Sequence, residues 1–192
     1  MKKFNNLRTW MVSLLLVVLP VCVNAAVPEW QIVPDQSNLS FTATQNGAPV
    51  TGQFKTFTGN IAFDLNDLKN SKADITIDVS SISASYSDLT TTLITPDWFN
   101  AKAFPKAEFK SSGFNKTGDK TYQANGTLTI RDKTAPVTLT FTAIEPSKDM
   151  ITVEGSTSIK RSTFGVGQGE WASTKEVKDE VTVNFKLVAK AK

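Results

Sequence analysis

The side chains that most often carry out chemistry in proteins are scarce in this sequence. Its 192 residues include no His and one Cys, Cys22. Without His the chain cannot form a Ser-His-Asp or Cys-His arrangement, and it lacks the commonest metal ligand. A hydrolase or isomerase would then need an inward-facing Asp or Glu with a raised pKa. Asp74 and Asp78 fall on the polar face of a predicted strand and do not point inward. We therefore expect that the protein is not an enzyme and that it holds neither a metal nor an organic cofactor.

Arg161 and the glycine-rich segment Gly165–Gly169 are the two features that could bind an anion. Arg161, close to Phe164 and Gly165, is a candidate partner for a phosphate or quinone oxygen. The alternatives are an ion pair with an acidic neighbour and a solvated position on a strand. Gly165–Gly169 superficially resembles a phosphate cradle but lacks the Lys-Ser/Thr and the helix that follow one. It therefore favours a flexible loop, which would be placed to gate access to a binding site.

The N-terminal residues 1–25 have the layout of a cleaved secretory signal peptide. Basic residues at Lys2, Lys3 and Arg8 precede an apolar run, and the small residue Ala25 stands at the expected cleavage position. We therefore expect a mature chain of residues 26–192 in the periplasm, with no integral membrane span.

Removal of this segment makes the chain nearly neutral and removes its only Cys. The full chain has 21 Lys and Arg against 18 Asp and Glu, and the three basic residues of the signal are lost. Without a basic block we expect no nucleic-acid binding. Without Cys, the mature domain depends on its core alone for stability.

Apolar and polar residues alternate through most of the remaining chain, which is the period-2 pattern of strands with one dry face. Seven segments show it, with inward positions that include Phe41, Phe63, Ile77, Leu128, Ile151, Phe141 and Phe185. Turn signals such as Asn46-Gly47, Ser112-Gly113 and Thr117-Gly118-Asp119 separate these segments. About eight antiparallel strands in one all-β domain predict a sandwich or a closed barrel, and a closed barrel of this size can hold one small ligand.

Residues 87–104 interrupt the alternation. Pro96 is predicted to be the first residue of a short helix, with Asp97 in its first turn. Trp98 and Phe99 follow at once, and we expect them to cap one end of the barrel, as a plug or as ligand contacts.

The order of motifs resembles the YceI family, bacterial lipocalin-like proteins that bind polyisoprenoids. The resemblance rests on segments beginning at Trp30, Val50, Phe57, Asp78, Leu93, Phe104, Phe109, Gly126, Pro136, Ile159 and Gly169. Two departures affect the expected ligand more than the fold. Ser87 precedes Asp88 where many members carry Arg, and Trp98 and Asn100 replace the more usual Phe and Asp.

The resemblance implies a single antiparallel up-and-down barrel of about eight strands with a short helical excursion near residues 87–104. Its lumen would hold a long isoprenoid or similar amphiphile, and the protein would act as a periplasmic carrier. A second copy of the chain, forming a homodimer, is a further expected partner. The predicted ligand-binding residues are Phe41, Phe63, Ile77, Trp98, Phe99, Phe109, Leu128, Phe141, Arg161, Phe164, Trp171 and Phe185. The alternative is an exported domain whose core these side chains fill, acting through a protein partner or under stress.

Overall fold

The computed structural model describes residues 26–144 and 147–192, so the predicted signal peptide lies outside the described residues. The described part contains eleven strands and one α-helix, α1 (Ser87–Leu93). The strands are β1 (Glu29–Ile32), β2 (Asn38–Gln45), β3 (Ala48–Phe54), β4 (Phe57–Ala62), β5 (Lys72–Asp78), β6 (Ile82–Ala84), β7 (Lys106–Lys116), β8 (Thr121–Ile130), β9 (Lys133–Ile144), β10 (Met150–Lys160) and β11 (Glu180–Ala191). No helix in these two ranges is long and apolar enough to cross a membrane.

The eleven strands form an eight-stranded closed barrel because the first six are the halves of three broken strands. A 3₁₀ turn at Pro34–Gln36 separates β1 from β2, yet both pair with the same strand, β11. In the same way β3 and β4 pair with β2 and β1, and β5 and β6 pair with β4 and β3. Each remaining strand pairs antiparallel with the next along the chain, and β11 returns to the first. The predicted up-and-down barrel is confirmed.

Alternation along each strand sets the inner and outer faces of the barrel. In β11, Thr182, Asn184 and Lys186 are exposed, whereas Val181, Val183, Phe185 and Leu187 are only half-buried. The half-buried residues are those that point inward, because they face a space inside the barrel instead of a filled core.

The two ends of the barrel are built differently. At one end, here called the helix end, the connections are the Asn46–Gly47 hairpin, residues 85–105 with α1, the Arg131–Asp132 turn and residues 161–179. The other end, called the terminus end, carries residues 63–71, the β7–β8 turn and both ends of the described chain. Asn46 and Gly47 have φ angles of 51° and 80°, the left-handed geometry that a two-residue hairpin requires.

Two local predictions were wrong. The helix is α1, which ends at Leu93 before Pro96, because a residue that precedes proline is disfavoured in the helical region. Residues 96–99 form turns instead. Ser112-Gly113 is not a turn between strands but an irregularity inside β7, where the register with β8 shifts between Ser111 and Gly113. One extra residue in a strand produces such a bulge and needs no change of direction.

Gly155 provides a test of how the barrel interior is packed. It lies in β10 between Phe141 of β9 and Phe185 of β11. A Cβ atom at this position would lie 2.6 Å from Cζ of Phe185 and 2.7 Å from Cβ of Phe141, and closer still to the Thr140 carbonyl oxygen. We expect Gly155→Ala to lower the free energy of unfolding by about 1–3 kcal/mol, measured by urea denaturation.

The matched control is Gly113→Ala in β7, where a Cβ atom would have no neighbour within 4 Å. We expect this change to alter the unfolding free energy by less than about 0.5 kcal/mol. Equal effects of the two substitutions would contradict the close approach of the strands at Gly155.

Candidate functional site

A cavity of about 260 Å³ occupies the interior of the barrel. We call it the inner cavity. Its wall includes ten of the 12 Phe residues of the chain together with Leu, Ile and Val side chains from β2, β4, β5, β8, β9, β10 and β11. None of the described residues that line it is Asp or Glu. The space is therefore suited to an apolar chain, and an inward carboxylate for acid/base chemistry is missing from its lining.

Eleven of the twelve residues predicted from the sequence line the inner cavity. They are Phe41, Phe63, Ile77, Trp98, Phe99, Phe109, Leu128, Phe141, Arg161, Phe164 and Phe185. Trp171 does not, and lies instead on a second pocket nearer the surface. Phe54 and Phe57 both face inward despite their odd spacing, because the chain leaves the strand geometry at Lys55 and Thr56 between β3 and β4. That these residues contact a ligand remains a prediction.

An aromatic cluster closes the inner cavity at the terminus end. The ring of Phe63 lies 5.2 Å from that of Phe114 and 6.0 Å from that of Phe141, and Tyr122 stacks on Phe141 at 5.7 Å. Behind them the buried Trp30 donates its indole N–H to the Phe63 carbonyl at 2.7 Å. Trp30 and Tyr122 do not line the cavity, whereas the three Phe residues do. The Phe residues therefore form its floor.

The helix end has a second pocket of about 190 Å³, here called the outer pocket, between α1, the β2–β3 hairpin and Trp171. Its lining includes the polar side chains of Gln45, Tyr86, Asp88 and Thr92. Five further lining residues are shared with the inner cavity: Phe41, Ala43, Leu93, Trp98 and Val177. We call these five the partition. The two spaces therefore adjoin at the partition, at the end of the barrel opposite the aromatic cluster.

Arg161 holds the loop of residues 161–179 together at the helix end. Only 3% of the residue is exposed, and its guanidinium donates six hydrogen bonds of 2.9–3.2 Å, all to backbone carbonyls. The acceptors are the carbonyl oxygens of Val166, Gly167, Trp171, Ser173, Val177 and Lys178. Every one of its three nitrogens is thus occupied, since arginine has five N–H donors in all.

In the structure these donors face backbone carbonyls, and the pairing of Arg161 with a ligand oxygen remains a prediction. The alternative of an ion pair is wrong, because the hydrogen-bond partners of Arg161 are carbonyls and not a carboxylate. The alternative of a solvated strand position is also wrong, because the side chain is buried. The sequence signal for this arrangement is the run of glycines that follows Arg161, which the sequence pattern alone indicated to be a flexible loop.

Gly165–Gly169 encloses a cation and not an anion. Gly165, Gly167 and Gly169 have φ angles of 65°, 79° and 60°, so the chain turns its carbonyls toward the guanidinium. A Cβ atom at Gly167 would collide with Nη1 of Arg161. A phosphate cradle presents N–H groups inward, whereas the N–H groups of Gly167 and Gln168 here both donate to the Asp97 carbonyl, at 2.8 and 2.7 Å.

Charges around this loop agree with that arrangement. Desolvation lowers the pKa of the Arg161 guanidinium and the nearby Asp179 opposes the shift, but arginine stays protonated at physiological pH. For the Asp179 carboxyl, desolvation raises the pKa, but hydrogen bonds from Ser162 and the charges of Arg161 and Lys160 outweigh it and lower the pKa. Asp179 is therefore ionised and supports the buried cation.

Arg131 connects the same loop to the helical excursion, a role that no sequence motif predicted. Its Nη1 donates to the carbonyls of Trp98 and Gly165, each at 2.7 Å. Nε of Arg131 and the indole nitrogen of Trp98 are buried with no hydrogen-bond partner among the described residues. A buried donor left unpaired costs about 1–3 kcal/mol, so the helix end is less well satisfied than the floor.

The described ranges contain no group of three or more His, Cys, Asp or Glu side chains placed to hold a metal ion. The described residues form an apolar inner cavity, an aromatic floor and an outer pocket whose mostly apolar lining includes four polar side chains.

Comparison with known proteins places this geometry in a family. A model of the YceI-like domain matches residues 30–189, most of the chain, and the chain belongs to that family. BcnA of Burkholderia cenocepacia has a crystal structure with a TM-score of 0.78 and 36% identity, covering 82% of this chain and 98% of BcnA. The UPF0312 protein of Azotobacter vinelandii is 27% identical over 66% of this chain and 68% of its own length.

A third similarity concerns the fold alone. A domain from Saccharophagus degradans, described as polyisoprenoid-binding and implicated in plant cell wall breakdown, has a TM-score of 0.68. It is 17% identical, and the match covers 86% of this chain and 99% of that domain.

The role of Arg161 as the centre of its loop can be tested by substitution. Arg161→Met removes all six hydrogen bonds and leaves the carbonyls facing an apolar side chain. We expect the free energy of unfolding to fall by at least about 3 kcal/mol, because a buried charged network is lost. Thermal and urea denaturation measure the change.

Lys160→Met is the control for loss of one positive charge at the neighbouring, exposed position. It should change stability by less than about 0.5 kcal/mol. If Arg161→Met were as stable as this control, the carbonyl contacts would contribute nothing and the account of the loop would be wrong.

Proposed function

We propose that this protein of the YceI family binds a long-chain isoprenoid or a similar amphiphilic lipid, with the tail in the inner cavity, and carries it without chemical change. The observation that carries the proposal is the inner cavity itself, a space of about 260 Å³ lined by apolar side chains with Ser40, Thr157 and Arg161 as the polar exceptions. A preformed apolar pocket with a few polar groups at its mouth is the usual form of a site for such a ligand.

The energetics favour a tail over a compact ligand. Each CH₂ group transferred from water to an apolar site contributes about 0.8 kcal/mol, so an extended chain gains affinity with every unit that enters. No charged contact inside the barrel is needed. The related fold described as polyisoprenoid-binding supports the same chemical class.

The competing function, a filled-core domain that acts through a protein partner, has less support. In that case the inward side chains would meet at the barrel axis, whereas Val181, Val183 and Leu187 are half-buried and line the inner cavity. It would also favour one exposed apolar patch. The large exposed apolar side chains are divided between the barrel ends, with Tyr86 and Ile94 beside α1 and Ile144 and Met150 at the terminus end.

The proposed location is the periplasm. Its support is the signal-like segment at residues 1–25 and a remainder that is nearly neutral and free of Cys. Self-association remains a prediction from the family resemblance.

The proposal predicts that a lipid accompanies the protein through purification. We expect mass spectrometry of an organic extract, made from protein isolated without detergent, to detect a prenyl, quinone or other long-chain species in near-stoichiometric amount. Protein that carries none should take up an added prenyl alcohol. Absence of both would contradict the proposal.

A cavity-filling variant locates the bound lipid. Val183 of β11 faces the inner cavity opposite Phe41 and Thr157, so Val183→Trp should occupy the space and reduce bound lipid at least tenfold. The control is Thr182→Trp, which places the same side chain on the outer face. Circular dichroism checks that both variants fold. Wild-type lipid content in folded Val183→Trp would place the lipid elsewhere.

A further inference from the structure

We infer that the bound amphiphile carries an uncharged polar head group, such as an alcohol, quinone or ester, and that the protein discriminates against diphosphate and carboxylate lipids. The inference rests on the proposed function, because it names the ligand class of the same site. It follows from where the cations and anions lie at the helix end, where a head group must remain.

The head group is confined to the helix end because the floor is closed. Phe63, Phe114 and Phe141 block the terminus end with ring separations of 5.2–6.3 Å. The outer pocket adjoins the inner cavity across the partition, and its lining includes the polar side chains of Gln45, Tyr86, Asp88 and Thr92. A tail in the inner cavity therefore leaves its polar end in or beside the outer pocket.

No cation is available to an anionic head group there. Arg161 is the one basic residue among the described residues that line the inner cavity, and its nitrogens already donate to six carbonyls. An anion would have to displace carbonyls that hold the loop together. Arg131 is the other arginine at this end, and its Nη1 donates hydrogen bonds to the carbonyls of Trp98 and Gly165. Arg131 lines neither the inner cavity nor the outer pocket.

The charge on the lining of the outer pocket is negative, and it belongs to the exposed side chain of Asp88. Asp88 is the one Asp, Glu, Lys or Arg among the described residues that line it, and the other polar groups there are the hydroxyls of Tyr86 and Thr92 and the Gln45 amide. Lys175 and Lys178 lie next to Glu176 and Val177 in the chain, but they are exposed and do not line the pocket.

These charges predict that the site prefers a neutral head group to a negatively charged one. A phosphate or carboxylate moved into this partly dry pocket would lose hydration, gain no positive partner and meet the negative charge of Asp88. A hydroxyl or carbonyl loses far less hydration and finds donors and acceptors in Gln45 and Tyr86. The same tail should therefore bind more tightly with a neutral head group.

The test compares two probes with one tail, geranylgeraniol and geranylgeranyl diphosphate, titrated into delipidated full-length mature protein below their critical micelle concentrations. We expect the alcohol to bind at least tenfold more tightly than the diphosphate. Equal binding, or tighter binding of the diphosphate, would overturn the inference while leaving the proposed function intact. Binding of neither probe would overturn both.

A matched pair of variants tests whether the outer pocket is responsible. In an Asp88→Asn background, Thr92→Lys adds a cation to the pocket lining, whereas Thr91→Lys adds the same charge one residue away on α1, outside the lining. Both threonines make the same kind of contact, donating to the carbonyl four residues earlier. We expect Thr92→Lys to reduce the preference for the alcohol at least tenfold more than Thr91→Lys does. Equal effects would overturn the placement of the head group.

Discussion

Closure of the sheet around an unfilled interior is the constraint on which the rest of this molecule depends. A closed barrel has no free edges, so its inward side chains have only each other and the enclosed space as neighbours. Here inward side chains such as Val153 of β10 and Val183 of β11 line a space of about 260 Å³ instead of filling it. Such a space survives only if both ends resist collapse. Aromatic stacking on Phe141 does this at one end and a loop around Arg161 at the other.

The two ends of the barrel resist collapse in different ways, so they differ in polarity. The floor is apolar and well satisfied, with the Trp30 indole paired to the Phe63 carbonyl. At the helix end, backbone carbonyls accept hydrogen bonds from the buried Arg161 and the half-buried Arg131, and the indole nitrogen of Trp98 has no partner among the described residues. An amphiphile matches this asymmetry, because its tail suits the floor and its polar end suits the outer pocket.

The fold could be predicted from the sequence because period-2 alternation reports directly on a sheet with one dry face. Most predicted site residues reached the inner cavity for the same reason. Alternation cannot tell a filled core from a cavity, since both need apolar side chains on one face. It also could not reveal the six carbonyls around Arg161, which come from backbone spread over residues 166–178. Pro96 was predicted to begin a helix because proline is common at the first helical position. The helix lies before it instead and ends at Leu93.

The most direct test of the central claim is a crystal structure of the protein with geranylgeraniol. The account predicts continuous density for the tail between the floor at Phe141 and the partition at Trp98, with the hydroxyl in the outer pocket near Tyr86. An interior filled by rearranged side chains, or an alcohol bound on the outer face of the barrel, would contradict it.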